Sequence, residues 1–196
     1  LSLVKAFESK LGLFQPNKQV SFDVIQGVVR QEISHATLFS KYDSAVDHLP
    51  KLTVGIVFSG GPAPGGHDVL CGILSHLRSG DQLIGFCGGP GGLLRGDYKL
   101  IDTSDMDLIE GLGGFDFLGT DRTKISTNDQ FEQVKSVLEP LGISSLIIVG
   151  GDDSNTNALF LADALHGRCN VIGVPKTIDG DLQYSPHLPI TFGFHT

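Results

Sequence analysis

The chain has 196 residues, of which 40% are hydrophobic and 18% are charged, and its formal net charge is −8. This composition is ordinary for a globular domain with a sizeable core. The acidic balance argues against nucleic acid or an anionic membrane surface as a partner. Three widely spaced cysteines without a CxxC pattern predict reduced thiols. We see no secretory signal and no apolar run of the ~20 residues that cross a bilayer, so we expect a cytoplasmic protein.

Residues 1–50 contain few glycines and predict a helical N-terminal extension, with helices at 2–13 and 22–39. Leu3, Phe7 and Leu11 recur at helical spacing, which favours a packed segment without chemistry of its own. An α/β domain is predicted at 51–196. Because the chain begins at Leu1 and stops just after a glycine-containing turn, we expect a piece of a longer polypeptide, incomplete at its C-terminus.

From residue 52 onward, short apolar runs alternate with helical stretches. This alternation is typical of an α/β domain with a mostly parallel sheet flanked by helices. Strands are predicted at 53–58, 82–87, 98–101, 145–149 and 170–174, helices at 67–78, 128–138 and 156–165, and a glycine-dense loop at 88–92. Since such sheets bind ligands beyond the carboxyl ends of their strands, the loops after residues 58, 149 and 174 are the candidate site.

The first loop reads SGGPAPGG at 59–66 and opens a helix. Glycines let backbone N–H groups approach a phosphate, and a helix start favours negative charge. The spacing from Gly61 to Gly66 is that of a Walker A loop, but His67 and Asp68 stand where Lys and Ser or Thr are required. An ordinary glycine turn remains an alternative for this loop.

The second loop reads GGDDSNTN at 150–157. Two adjacent carboxylates beside a phosphate loop suit Mg²⁺, which takes one or two protein carboxylates together with phosphate oxygens. The alternative is a helix cap supplied by Asp152, Asp153 or Ser154, and we expect one of them to cap the helix.

The third loop reads PKTIDGDL at 175–182. Phosphoryl transfer to an alcohol needs a carboxylate that accepts the hydroxyl proton and a cation that neutralises charge on the transferred group. Lys176, Asp179 and Asp181 could meet both needs, although the same string also suits a solvated turn. Three such loops at strand ends of one sheet together favour phosphoryl chemistry.

In order and spacing, these three loops resemble the motifs of the phosphofructokinases, over about residues 53–196. The match is most specific in the second and third loops and is nearest to the long, pyrophosphate-dependent group, the pyrophosphate–fructose 6-phosphate 1-phosphotransferases. The segment from Gly114 to Ile125 also resembles that group's basic loop. The resemblance implies a Rossmann-type donor domain, Mg²⁺ as cofactor, a reversible transfer in glycolysis, and a homo- or hetero-oligomer whose state the sequence does not specify.

On the donor side, the resemblance assigns Gly60, Gly61 and Arg122 to pyrophosphate binding and Asp152 to Mg²⁺. Asp153 stands where ATP-dependent relatives have glycine. Its carboxylate would take the place of the α-phosphate of ATP, which is specificity by repulsion.

On the acceptor side, the resemblance assigns Thr177, Ile178 and Asp179 to the sugar-phosphate site, with Asp179 as the proton acceptor for the 1-hydroxyl. Lys176 matches a lysine that stabilises transition-state charge in the pyrophosphate users. Alternatives are an ATP-dependent 6-phosphofructokinase and a non-catalytic regulatory subunit. NAD and lipid kinases share only the second motif. His195 departs from the group's aspartate, and we expect it to be structural.

Overall fold

The computed structural model describes residues 50–181 and 191–196. Their five strands are β1 Thr53–Phe58, β2 Gln82–Phe86, β3 Tyr98–Ile101, β4 Ser145–Gly150 and β5 Asn170–Pro175. They form one sheet in the order β3-β2-β1-β4-β5, in which only the β2–β3 pair is antiparallel. The predicted mostly parallel α/β sheet is therefore confirmed. The helices predicted at 2–13 and 22–39 lie outside the described residues, and the domain boundary at residues 50 and 51 stays a prediction.

Helices pack on both faces of this sheet. They are α1 Gly66–His76, α2 Gly89–Arg95, α3 Met106–Leu112, α4 Gly114–Leu118, α5 Asn128–Leu138 and α6 Asp152–Ala164, with a 3-10 turn at Thr103–Asp105. One buried cluster combines α1, α3 and α4 with one sheet face, and a second combines α2, α5 and α6 with the other. Within the described part of the chain, no helix is long and apolar enough to cross a membrane.

The central strands supply both clusters because successive side chains of a strand point to opposite faces. In β1, Ile56 and Phe58 pack on one face and Val57 on the other, and all three are almost completely buried. Burying such a side chain contributes about 1.5–3 kcal/mol. A strand that is apolar on both faces is typical of the middle of a parallel sheet.

Helix α5 has the bounds that the sequence predicts. Thr127 precedes it and accepts a hydrogen bond from the Gln130 N–H through its side chain, at 3.3 Å. The Gln130 side chain accepts the Thr127 N–H in return, at 3.1 Å. This capping box satisfies two of the N–H groups that a helix start leaves without partners, which explains why the helix begins here.

The glycine-dense segment at 88–92 is predicted from the sequence to be a loop, and this prediction is wrong. Helix α2 begins at Gly89, and Pro90 occupies its first turn, where a missing N–H costs nothing. A Cβ on Gly92 would lie 1.8 Å from the Cys87 carbonyl oxygen. Close packing requires these glycines and overrides their poor helix propensity.

Two further differences concern helix starts. Helix α6 begins at Asp152 rather than at residue 156, after the N-cap residue Gly151, which has no side chain. The prediction that Asp152, Asp153 or Ser154 caps the helix is therefore wrong. The two carboxylates instead occupy the first turn, where the helix dipole favours negative charge. Helices α3 and α4 were not predicted; each is seven residues or shorter, too short for a clear period.

Helices α1 and α4 meet at a contact between glycine backbones. A Cβ on Gly114 would lie 2.3 Å from the Gly66 carbonyl carbon and 2.4 Å from its oxygen. Since backbone atoms cannot rotate away, any side chain at Gly114 must push the two helices apart. This contact also fixes the end of the first strand-end loop, because Gly66 is the first residue of α1.

We predict that Gly114→Ala lowers the free energy of unfolding by about 1–3 kcal/mol, the usual cost of overpacking. Gly111→Ala is the matched control, because Gly111 lies in α3 and a Cβ there would meet no other atom within 4 Å. That change should raise stability by about 0.5–1 kcal/mol through the unfolded chain's entropy. Urea unfolding measures the free energy of unfolding of both variants. If both changed it equally, the close contact between Gly66 and Gly114 would not be the cause.

Candidate functional site

The carboxyl ends of β1, β4 and β5 open into a cleft with a volume of about 380 Å³. Pairing is in register to the ends of these strands, with Phe58 beside Val149 and Val149 beside Val174. The chain runs from β1 to β2 on one side and reaches β4 on the other, so the strand order reverses between β1 and β4. Such a reversal is the usual ligand position in an open α/β sheet.

The first loop lies at the floor of the cleft. The Ser59 N–H donates to the Val149 carbonyl oxygen at 2.8 Å, which continues the pairing of β1 and β4. Gly60 has φ 87°, a left-handed conformation that favours glycine. Its N–H donates to the Asp121 carbonyl oxygen at 2.8 Å. Because this amide already has a partner, Gly60 contributes its backbone conformation to the cleft and not a free hydrogen-bond donor.

A second segment, residues 119–125, runs beside the first loop, and we call it the cation loop. The Thr120 hydroxyl donates to the carbonyl oxygens of Phe58 and Gly60, at 3.1 and 2.8 Å. At the other end, the Asn157 side chain of α6 accepts the Ile125 N–H at 3.2 Å and donates to the Ile125 carbonyl oxygen. The cation loop is thus tied to β1 at its start and to α6 at its end.

The cation loop places two positively charged side chains, Arg122 and Lys124, in the lining of the cleft. Both residues are exposed. A Cβ on Gly61 would lie 3.7 Å from Arg122 Nη2, an ordinary contact distance, so the guanidinium lies directly beside the backbone of the first loop. A planar guanidinium in this position can donate two parallel hydrogen bonds to a phosphate.

Lys176 is the buried cation of the cleft. The residue is 8% exposed, and Nζ donates to the Gly61 carbonyl oxygen at 2.5 Å, which ties the third loop to the first. Burial is the largest cause that lowers the pKa of Lys176, the Arg122 charge lowers it further, and the Asp179 charge partly opposes both. A desolvated ammonium beside another cation gains from a bound anion.

The first turn of α6 brings two carboxylates to the cleft, Asp152 and Asp153, and both residues are exposed. Asp153 Oδ1 lies 3.5 Å from Lys124 Nζ, with side chains that are 80% and 70% exposed. An ion pair as exposed as this one is screened and contributes little stability. Behind them, the Ser154 hydroxyl donates to the Ser59 hydroxyl at 2.8 Å and joins the first and second loops.

A magnesium ion fits this donor set. The described residues contain no group of three or more His, Cys, Asp or Glu side chains that could hold a metal by themselves. Magnesium does not require such a group, because it usually keeps several waters and binds one or two carboxylates with substrate phosphate oxygens. Asp152 and Asp153 meet that requirement at the mouth of a cleft that also holds three cationic side chains.

The third loop is a tight turn built around Thr177, which is 6% exposed. Its N–H donates to the Phe192 carbonyl oxygen at 3.1 Å, and its hydroxyl donates to the Asp181 carboxylate. The same hydroxyl accepts the Asp179 N–H at 3.1 Å. These bonds hold the backbone of Asp179, while its carboxylate stays exposed at the cleft.

The structure brings every predicted site residue into this one cleft. They are Gly60, Gly61, Arg122, Asp152, Asp153, Lys176, Thr177, Ile178 and Asp179. Their chemical roles stay predictions. Neither His67 nor His195 lines the cleft; His195 Nδ1 instead accepts the Thr191 N–H at 3.0 Å.

Sequence reasoning gave no site role to Lys124 or Asn157, and it considered Ser154 only as a helix cap. Asp181, which it named beside Lys176 and Asp179, also lines the cleft. Lys124 lies inside the segment that resembles the family's basic loop, so its charge was the available signal. Ser154 and Asn157 act through bonds to residues 95 and 32 positions away, which no local pattern reveals.

Comparison with known proteins agrees with this geometry. The model of the phosphofructokinase family matches residues 53–196. Pyrophosphate–fructose 6-phosphate 1-phosphotransferase subunit beta 2 of Arabidopsis thaliana is 42% identical over 167 residues, 82% of this chain and 29% of that protein. Pyrophosphate–fructose 6-phosphate 1-phosphotransferase of Treponema pallidum is 44% identical over 163 residues, 79% of this chain and 28% of that protein.

A solved structure shows the same fold. Pyrophosphate-dependent phosphofructokinase from Marinobacter aquaeolei superposes with a TM-score of 0.54 at 27% identity, covering 68% of this chain and 35% of that one. The chain spans less than a third of the length of the two curated relatives. Because the family match runs from the first strand of the sheet through all three strand-end loops, the chain belongs to the phosphofructokinase family.

Proposed function

We propose that the protein transfers a phosphoryl group from pyrophosphate to the 1-hydroxyl of fructose 6-phosphate, giving fructose 1,6-bisphosphate and phosphate in a reversible, glycolytic reaction. One observation carries the proposal: the buried Lys176 ammonium and the exposed Asp179 carboxylate belong to one loop of a cleft that also holds Arg122 and the carboxylates of Asp152 and Asp153. Relatives at 42% and 44% identity are named for this reaction.

In this mechanism the Asp179 carboxylate takes the proton of the 1-hydroxyl. The hydroxyl oxygen forms a bond to the near phosphorus of pyrophosphate, and the bond from that phosphorus to the bridging oxygen breaks, so that phosphate leaves. Such transfers depend mainly on positioning and electrostatics. The Thr177 hydroxyl accepts the Asp179 N–H and so holds the backbone of Asp179 in place. In this proposal Thr177 and Ile178, which both line the cleft, bind the sugar phosphate.

The cations of the cleft stabilise the transferred group. Lys176 from the third loop and Arg122 from the cation loop would contact it, beside the backbone of Gly60 and Gly61, which lines the same cleft. Mg²⁺ held by Asp152 would neutralise further charge on the phosphate oxygens. A buried ammonium aimed at developing charge is worth more than one in water, because little solvent reorganises around it.

Donor choice follows from Asp153 in this proposal. Its carboxylate is exposed at the cleft. We infer that a donor longer than pyrophosphate would extend toward this carboxylate. An additional phosphate of ATP would meet this negative charge, which the exposed Lys124 ammonium at 3.5 Å screens only weakly, and the repulsion selects against ATP. ATP as donor and a regulatory role without catalysis are the alternatives.

The subunit designation of the Arabidopsis relative supports assembly into an oligomer, which we include in the proposal together with a cytoplasmic location.

Turnover by the full-length protein is the primary test, with fructose 6-phosphate, Mg²⁺ and either pyrophosphate or ATP. Turnover with pyrophosphate alone supports the proposal. Turnover with ATP alone overturns the donor assignment, and turnover with neither favours a regulatory subunit.

We predict that Asp179→Asn lowers kcat by about 10²–10⁴-fold, the usual contribution of a general base. Pyrophosphate affinity measured by calorimetry should change less than about twofold, since the shape of the side chain is kept. Asp116→Asn is the control, an exposed carboxylate of α4 that does not line the cleft. Retention of wild-type turnover in Asp179→Asn would refute the assignment.

We predict that Asp153→Gly raises the ratio of kcat/KM for ATP to kcat/KM for pyrophosphate at least about 100-fold, equivalent to about 2.7 kcal/mol. Asp153→Asn keeps the volume and removes the charge. If repulsion is the cause, this second variant should show most of the same gain. A gain confined to the glycine variant would instead assign the exclusion of ATP to side-chain volume.

The lowered pKa of Lys176 predicts a pH effect. Turnover needs the charged ammonium, so kcat/KM should fall as pH rises through a pKa below the ~10.4 of an ordinary lysine. Arg122→Ala removes a charge that lowers this pKa, so the alkaline limb of the residual activity should move to higher pH. Arg95→Ala, an exposed arginine paired with Asp97, should leave the limb in place. If the alkaline limb of the pH profile stayed in place in Arg122→Ala, the limb could not be assigned to Lys176.

A further inference from the structure

Asp121 precedes Arg122 in the cation loop, and its side chain turns away from the cleft. Its carboxylate accepts the Gly91 N–H at 3.2 Å through both oxygens. It also accepts the Thr123 hydroxyl at 2.5 Å and the Thr123 N–H at 3.3 Å. Two donors from the cation loop and one from α2 therefore hold this single carboxylate.

The glycine-dense start of α2 makes this docking possible. A Cβ on Gly89 would lie 2.3 Å from the Asp121 nitrogen, and a Cβ on Gly91 would lie 2.4 Å from Asp121 Oδ2. Either side chain would occupy the space of the carboxylate or its backbone. The glycines at 89 and 91, which the site chemistry leaves unexplained, are the surface against which Asp121 packs.

The backbone of Asp121 belongs to the floor of the cleft. Its carbonyl oxygen accepts the Gly60 N–H at 2.8 Å, and a parallel bridge pairs it with Ser59. Since neighbouring side chains of extended backbone point to opposite sides, anchoring Asp121 toward α2 directs Arg122 toward the cleft. Asp121 thus connects α2, the first loop and the direction of Arg122.

We propose that Asp121 is a positioning residue for donor binding: its carboxylate, docked on the glycines of α2, holds Arg122 in the cleft. The proposal rests on the proposed function, because Arg122 acts on pyrophosphate there. Asp121 does not touch the donor. Its negative charge, engaged by three hydrogen-bond donors on the far side, is kept away from the anion.

The test compares Asp121→Ala with Asp121→Asn in the full-length protein. The alanine variant loses every acceptor and should raise KM for pyrophosphate, and its Kd by calorimetry with Mg²⁺, about tenfold. The asparagine variant keeps an oxygen for the Gly91 N–H and should rescue most of that loss. Asp97→Ala is the matched control, since this exposed carboxylate pairs with Arg95 beyond the other end of α2. It should leave both constants unchanged.

A double-mutant cycle with Arg122→Ala separates positioning from a general structural role. If Asp121 acts through Arg122, Asp121→Ala should raise KM less than about twofold once the guanidinium is gone, so the two effects are not additive. Additive effects would overturn the inference. So would an Asp121→Ala variant that binds and turns over pyrophosphate as the wild type does, or one that loses only stability in urea unfolding.

The failures of the two proposals differ. A wild-type protein that turns over with pyrophosphate, together with an unaltered Asp121→Ala variant, overturns the positioning role alone. A wild-type protein that neither turns over nor binds pyrophosphate overturns both. Wild-type binding without turnover overturns the catalytic proposal and leaves the positioning role to be decided by the Kd values of the variants.

Discussion

The geometry of the whole site depends on the parallel pairing of β1 with β4 and of β4 with β5, because the carboxyl ends of these three strands lie side by side. Phe58, Val149 and Val174 lie side by side in this register, so the three loops that follow must share a single cleft. A slip of one residue would turn the buried side chains of β1 and β4 to the opposite faces. Burial of Ile56, Phe58 and their neighbours in two separate cores therefore also fixes the positions of the site loops.

Hydrogen bonds between loops then convert proximity into a defined geometry. Lys176 reaches the Gly61 carbonyl oxygen, Ser154 reaches Ser59, and Asn157 holds the end of the cation loop. Each of these bonds connects two different segments of the site, so no single loop sets its own conformation. The cost of burying the Lys176 ammonium is offset in part by its carbonyl partner and by the nearby Asp179 charge. A bound anion would offset the remainder, which is why we place the transferred phosphate there.

Glycine has two different uses in this domain. At Gly60 it allows a left-handed backbone at the floor of the cleft. At the α2 start and at the contact between Gly66 and Gly114 it allows backbone or a carboxylate to approach more closely than any side chain permits. The second use is invisible to local patterns, which predict a loop for the segment 88–92. It also explains why α2 and α4, both rich in poor helix formers, are nonetheless helical.

Local sequence patterns were enough to predict the strands, their alternation with helices, the bounds of α5 and the three strand-end loops, because these follow from periodicity, capping and short motifs. The nine residues that line the cleft were implied by the resemblance to the phosphofructokinases. The start of α6, the helical state of α2 and the burial of Lys176 emerged only from the folded arrangement. So did the bond between Gly91 and Asp121 and the bond between Ile125 and Asn157. These bonds join atoms about 30 residues or more apart along the chain. Their energies arise from packing and desolvation, which exist only once the loops have been brought together.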